Sequence, residues 1–151
     1  MKILIIDDEN FQRLVLKRLL NEYFKGNLQI FEAVDGYEGY LMFKRFKPDI
    51  VITDIIMRGG TGGAWLIENI LKYDNKAQII VISGQDQMKI LKFKLMGAKA
   101  CLTKPVKYKE LYKVIDEILE SKNQVISIIR SSNNNEKKAN SWHIQKKSGL
   151  I

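Results

Sequence analysis

Short apolar runs alternate with longer segments of helical period up to about residue 120, and the alternation occurs five times. The runs Ile3 to Ile6, Leu28 to Ala33, Ile50 to Thr53, Ile79 to Ile82 and Ala98 to Leu102 are rich in Ile or Val and too short for helices, so each is predicted to be a strand. The first four show little period-2 alternation, which marks strands buried on both faces. The last is weaker and fits a sheet edge. Asn10 to Phe24 carries Phe11, Leu14, Val15, Leu19 and Phe24 on one stripe and Lys17, Arg18 and Glu22 elsewhere, as an amphipathic helix requires. Further helices are predicted near Gly36 to Phe46, Gly63 to Tyr73, Gln85 to Met96 and Tyr108 to Ser121. Parallel strands joined by right-handed helical crossovers give an α/β three-layer sandwich with helices on both faces of the sheet.

Open sheets of this kind bind ligands beyond the carboxyl ends of their strands. Polar residues gather there in this chain. Asp7 and Asp8 follow the first run, Asp54 ends the third, Ser83 and Gly84 follow the fourth, and Thr103-Lys104-Pro105 follows the fifth. Val34-Asp35-Gly36, after the second run, supplies only a turn. Three carboxylates at one sheet edge repel one another and are costly to desolvate unless a cation sits among them. Mg2+ suits such a set, because it takes hard oxygen ligands and keeps waters for exchange with substrate phosphate oxygens. Asp8 and Asp54 are the expected direct ligands, with Asp7 acting directly or through water and the backbone carbonyl of Ile56 completing the site. Beside such a metal a carboxylate can attack a phosphoryl group, and Asp54 is the expected acceptor. Lys104 would supply positive charge to the transferred oxygens and Ser83 a hydroxyl donor. Gly84 leaves room for the donor, and Pro105 fixes the lysine's backbone in a turn, for which a cis bond is one route.

Each piece has a plainer reading when taken alone: Asp7-Asp8 as an acidic helix start, Ser83-Gly84 as a turn, Lys104-Pro105 as a helix boundary. The ordered set outweighs them. Ile5-Ile6-Asp7-Asp8-Glu9, Pro48-Asp49-Ile50-Val51-Ile52-Thr53-Asp54-Ile55-Ile56-Met57, Ile82-Ser83-Gly84 and Leu102-Thr103-Lys104-Pro105 resemble the signatures of bacterial two-component response-regulator receiver domains. Ala33-Val34-Asp35-Gly36-Tyr37-Glu38 and Gly97-Ala98 resemble that family's intervening stretches. The resemblance implies a CheY-like, flavodoxin-like fold with five strands in the order 2-1-3-4-5. It also implies phosphotransfer from a histidine kinase or histidine phosphotransfer protein, and output to a downstream protein through the α4-β5-α5 face.

Some positions depart from that pattern. Cys101 stands where the family usually has Tyr or Phe, which puts the usual aromatic rotamer switch in doubt. Arg58 replaces a common proline, and Gly59-Gly60-Thr61-Gly62-Gly63 is expected to leave the chain beside Asp54 looser than in the family. Ile56 and Gln85 resemble positions that tune water access to the phosphoryl group; Ile56 cannot orient a water, whereas Gln85 can, and the pair predicts slow self-dephosphorylation. These departures leave open a pseudo-receiver, an interaction module not regulated by phosphorylation.

Composition narrows the remaining choices. At 151 residues, 46% hydrophobic and 28% charged, the chain fits a single core. Residues 1–121 are expected to form the receiver domain, and 122–151 a basic tail or linker with no independent domain, its 131–138 stretch a flexible linker. The net charge of +8 is concentrated there: Ser121 to Ile151 holds six Lys or Arg against one Glu. So short a tail cannot build a DNA-binding domain. No apolar run is long enough for a membrane span, and a cytoplasmic protein is expected. The single cysteine makes no internal disulfide and lacks zinc-ligand companions. A dehalogenase-like phosphatase would need an acid two residues after its nucleophile, where this chain has Ile56. A flavin-binding protein would need a Ser/Thr-rich loop where Asp7 and Asp8 stand. The glycine loop lacks the Gly-Lys-Ser/Thr ending of a nucleotide loop.

Overall fold

Ile- and Val-rich runs and the helical segments between them settle into ten elements in a computed structural model that describes residues 1–58, 61–84 and 87–147. In chain order they are β1 (Lys2–Ile6), α1 (Asn10–Phe24), β2 (Gln29–Ala33), α2 (Gly36–Phe46), β3 (Ile50–Asp54), α3 (Gly63–Tyr73), β4 (Ile79–Ser83), α4 (Gln87–Met96), β5 (Ala100–Thr103) and α5 (Tyr108–Lys147). The strands form one parallel sheet in the order β2-β1-β3-β4-β5, the flavodoxin-like arrangement expected. This sheet lies in a compact unit spanning Met1–Tyr112; a second unit, beginning at Lys113, holds the rest of α5.

Every residue of β3 and β4 is buried, and so are Ile3 to Ile6 of β1. Leu4, Ile6, Val51, Ile79 and Val81 project to one face of the sheet, where they pack with Phe43 of α2, with Leu66, Ile67 and Ile70 of α3, and with Phe93 of α4. The alternate residues Ile3, Ile5, Ile50, Ile52, Ile80 and Ile82 are equally buried and point the other way, toward the side on which α1 packs against β1. The Tyr112 hydroxyl at the start of α5 donates to the Leu19 carbonyl of α1 over 2.8 Å.

Four sequence expectations require correction. β2 is half exposed rather than buried on both faces, because the order of strands leaves it at an edge. The buried face of α1 is centred on Leu16 and Leu20, whereas Phe11 and Leu14 stand in solvent. The turn after β2 does more than reverse the chain: the Asp35 carboxylate accepts from the Glu38 N–H at 2.9 Å, while the Glu38 carboxylate accepts from the Val34 N–H at 2.8 Å. This reciprocal cap starts α2. Finally, α5 does not stop at Ser121 but continues to Lys147, through the stretch expected to be a linker. Residues 108–147 contain neither Gly nor Pro, so nothing in the chain breaks the helix.

On the exposed side of β2, Glu32 accepts from Lys17 at 2.7 Å and from Arg13 at 3.2 Å. The Lys17 hydrogen bond, supported by Arg13, holds the Glu32 carboxyl below the ordinary glutamate range. A lowered carboxyl contributes stability above its unfolded pKa and loses it as pH falls through the folded value. Allowing for solvent screening, Glu32→Gln is expected to lower unfolding free energy by about 0.5 kcal/mol at neutral pH. The difference from the parent chain should vanish in acid, as urea titrations at both pH values would measure.

Candidate functional site

Strand register sets the site before any side chain is placed. Ile6 pairs with Thr53, so the residues that follow, Asp7 and Asp54, leave adjacent strands side by side. Ser83 pairs with Thr103, and the Lys104 N–H donates to the Ser83 carbonyl at 3.0 Å, which carries the lysine past the end of β4. The Lys104–Pro105 bond is cis. Residues separated by nearly a hundred positions thus share one sheet edge.

Asp7, Asp54 and Ser83 are buried, and the Lys104 ammonium bridges the two acids. It donates to Asp54 Oδ2 at 2.6 Å and to Asp7 Oδ2 at 3.0 Å. The other oxygens are held by backbone: Asp54 Oδ1 accepts from the N–H groups of Ile55 (2.6 Å) and Ile56 (3.2 Å), and Asp7 Oδ1 from that of Glu9 (2.8 Å). Asp8 Oδ2 accepts from the Arg58 N–H at 2.9 Å, which ties the chain after β3 to the end of β1. Burial pushes the Asp7 carboxyl above the usual aspartate range against the pull of the Glu9 N–H and Lys104. Burial also works against the Lys104 charge, but its hydrogen bonds to Asp54 and Asp7 win and hold the ammonium above the usual lysine range.

One carboxylate oxygen from each of Asp7, Asp8 and Asp54 lies within 4.8 Å of the others. Three hard oxygen donors at that separation fit a divalent cation such as Mg2+. Asp8, Asp54, Ile56, Gly84 and Lys104 line a cavity of about 270 Å3 at this point, together with Glu9 and Arg58. Glu9 and Arg58 were missed as wall residues in the sequence reading. Arg13, outside the wall, braces the site from behind: its guanidinium donates to the Asp7 carbonyl at 2.7 Å. Only Glu9, in the Asp7-Asp8-Glu9 run, carries a sequence signal, since Arg58 reaches the site by its backbone N–H and Arg13 by a side chain from α1, contacts that spacing does not encode.

The remaining candidates fall in different places. A Cβ at Gly84 would meet nothing within 4 Å, so that wall is open. Ile56 turns its side chain mostly into solvent at the cavity mouth. Gln85 lies outside the described residues, as do Gly59 and Gly60. Cys101 packs against the hydrophobic core, and burial pushes its thiol up, which disfavours the reactive thiolate. The described part of the glycine loop is held by backbone hydrogen bonds at both ends. The Thr61 carbonyl accepts from the Gly36 N–H at 2.8 Å, and the Gly63 N–H donates to the Ile55 carbonyl at 3.2 Å. A Cβ at Gly36 would overlap the Thr61 carbonyl oxygen, and one at Gly63 the Asp54 carbonyl oxygen. These glycines serve close approach rather than looseness.

A doubly wound parallel sheet gathers aspartates and a lysine at its carboxyl edge, the place where open α/β sheets bind their ligands. The sequence model of the response regulator receiver domain matches residues 3–116, and the chain belongs to that family. It is 35% identical over 119 residues to the chemotaxis protein CheY of Thermotoga maritima, an alignment covering 78% of this chain and 96% of that protein. A response regulator receiver domain protein from Clostridium thermocellum superposes with a TM-score of 0.73 at 27% identity, covering 82% of this chain and 98% of that one. A chain of the CheX–CheY–BeF3–Mg2+ complex from Borrelia burgdorferi superposes with a TM-score of 0.69 at 26% identity, covering 79% of this chain and 89% of that one. The protein is therefore a CheY-like receiver domain of two-component signalling.

The two glycine environments predict opposite outcomes. Gly63→Ala forces a methyl group onto the Asp54 backbone and is expected to cost about 2 kcal/mol or more of stability. Gly84→Ala should leave the urea midpoint within error of the parent.

Proposed function

We propose that Asp54 is the phosphoacceptor of a two-component phosphorelay. The donor is a phosphohistidine on a histidine kinase or histidine phosphotransfer protein. One Asp54 carboxylate oxygen attacks phosphorus, the bond from phosphorus to the imidazole nitrogen breaks, and the electron pair leaves with the imidazole, which takes up a proton. Asp7, Asp8, Asp54 and the Ile56 carbonyl would hold Mg2+, which when bound neutralises charge on the phosphoryl oxygens. Lys104 places its ammonium on the acceptor oxygen from the start. On transfer it passes to a phosphoryl oxygen, and the Ser83 hydroxyl donates to another. That transfer of Lys104 is the conformational signal.

The single observation that carries this reading is the Lys104 ammonium spanning Asp54 and Asp7, within reach of a carboxylate trio suited to a divalent ion. A relative crystallised with BeF3 and Mg2+ supports it. Exposed Phe11 and Leu14 at the start of α1 suit docking of the donor near the cavity. Lys92, Lys94, Lys99, Lys107 and Lys109 are exposed from α4 to the start of α5 and suit an acidic downstream protein contacted through the α4-β5-α5 side. Among the described residues no helix is long and apolar enough to cross a membrane, in keeping with a site of action in the cytoplasm.

Incubation with acetyl phosphate and Mg2+ should add one phosphoryl mass to the intact protein and none to Asp54→Asn. Absence of any gain would favour the pseudo-receiver. Asp8→Ala should weaken Mn2+ binding, followed by water-proton relaxation, by about tenfold or more. With the apolar Ile56 at the cavity mouth, the phosphorylated form should persist for minutes. Radiolabel lost within seconds would contradict the assignment of Ile56.

A further inference from the structure

Asp7 is held at every polar group it has. Its N–H donates to the Ala33 carbonyl at 3.2 Å, its Oδ1 accepts from the Glu9 N–H at 2.8 Å, and its Oδ2 accepts from the Lys104 ammonium at 3.0 Å. The remaining group, its carbonyl oxygen, accepts from Arg13 Nη1 at 2.7 Å. That carbonyl belongs to the rigid peptide unit joining Asp7 to Asp8, so its direction sets how the Asp8 side chain leaves the backbone. Asp8 itself is only half-buried, with its Oδ2 on the Arg58 N–H at 2.9 Å.

Arg13 is built into this corner. Its side chain is 12% exposed, its Nε donates to Glu32 Oε2 at 3.2 Å, and its Nη2 to Asn10 Oδ1 at 3.2 Å. One planar guanidinium thereby joins the chain just past β1 to the first turn of α1 and to β2, which a point charge such as an ammonium cannot do with the same geometry. Tying α1 to β2 does not call for the contact with Asp7, because Lys17 already holds Glu32 at 2.7 Å.

We infer that Arg13 is a positioning residue for the divalent cation, which fixes the Asp7–Asp8 peptide and so aims the Asp8 carboxylate at the site shared with Asp7 and Asp54. The inference rests on the reading of these acids as metal ligands. Two effects of the guanidinium oppose each other: its charge repels a cation, while its hydrogen bond aligns a ligand. The Glu32 carboxylate beside it offsets the charge, so alignment prevails. The direction of the change in metal affinity separates the two.

Mn2+ affinity of the full chain, measured by water-proton relaxation, should fall about tenfold in Arg13→Ala, the loss typical when a group that orients a ligand is removed. Arg13→Lys keeps the charge without the planar fork, and should also bind more weakly than the parent; it carries the test if Arg13→Ala does not fold. Glu32→Gln removes the ion pair but leaves Nη1 on the Asp7 carbonyl, and should bind within about twofold of the parent. Circular dichroism and urea midpoints taken without metal show which variants are folded. Parent-like or tighter binding by the Arg13 variants, with Asp8→Ala still weakened, overturns the inference and spares the metal site. Equal weakening in Glu32→Gln and Arg13→Ala also overturns it, since the guanidinium would then serve only the packing of α1 on β2. A parent chain that binds no Mn2+, or an Asp8→Ala chain that binds as tightly as the parent, removes the metal site and this inference together.

Discussion

One ammonium group holds the functional edge of this domain together. Asp7 and Asp54 leave adjacent strands with their carboxylates buried, and without Lys104 between them their like charges would stand unopposed. The arrangement does not maximise stability, since burial works against the charge on Asp7 and on Lys104 alike. It keeps charged groups ready where a hydrophobic filling would be inert. The backbone N–H groups of Glu9, Ile55 and Ile56 complete the job by fixing the remaining oxygens, so each acid is oriented before any ligand arrives.

Rigidity around that edge comes from contact between backbones. The first turns of α2 and α3 approach the chain so closely that Gly36 and Gly63 admit no side chain, and the Thr61 carbonyl links the two elements. Asp8 adds a tie from β1 to the chain after β3 through the Arg58 N–H. The Asp54 backbone thus lies directly against the start of α3, and the Thr61 carbonyl against the start of α2, with no side-chain layer between.

Much of this was legible in the sequence. Helices α1, α2 and α3 begin and end where their periodicity places them, and Asp7, Asp8, Asp54, Ser83 and Lys104 meet because parallel strands deliver whatever follows them to one edge. The failures share a cause. Apolar periodicity reports that a residue is suited to burial, not which neighbour is present to bury it. Phe11 and Leu14 fit the α1 stripe yet stand in solvent, and Ile30 and Phe31 suit a central strand although Gln29 and Glu32 mark the edge that β2 forms. Ser and Asn favour turns and so suggest a linker in the tail, whereas a helix already under way continues through them where no glycine or proline intervenes. Glycine permits both freedom and close approach, and at Gly36 and Gly63 the neighbouring backbone shows that close approach is what it serves.

The sheet's two open margins have a bearing on how the protein tolerates crowding. β2 offers five residues, with Gln29 and the ion-paired Glu32 among them, and β5 four; edge strands this short, with charge on β2, discourage backbone pairing with another chain.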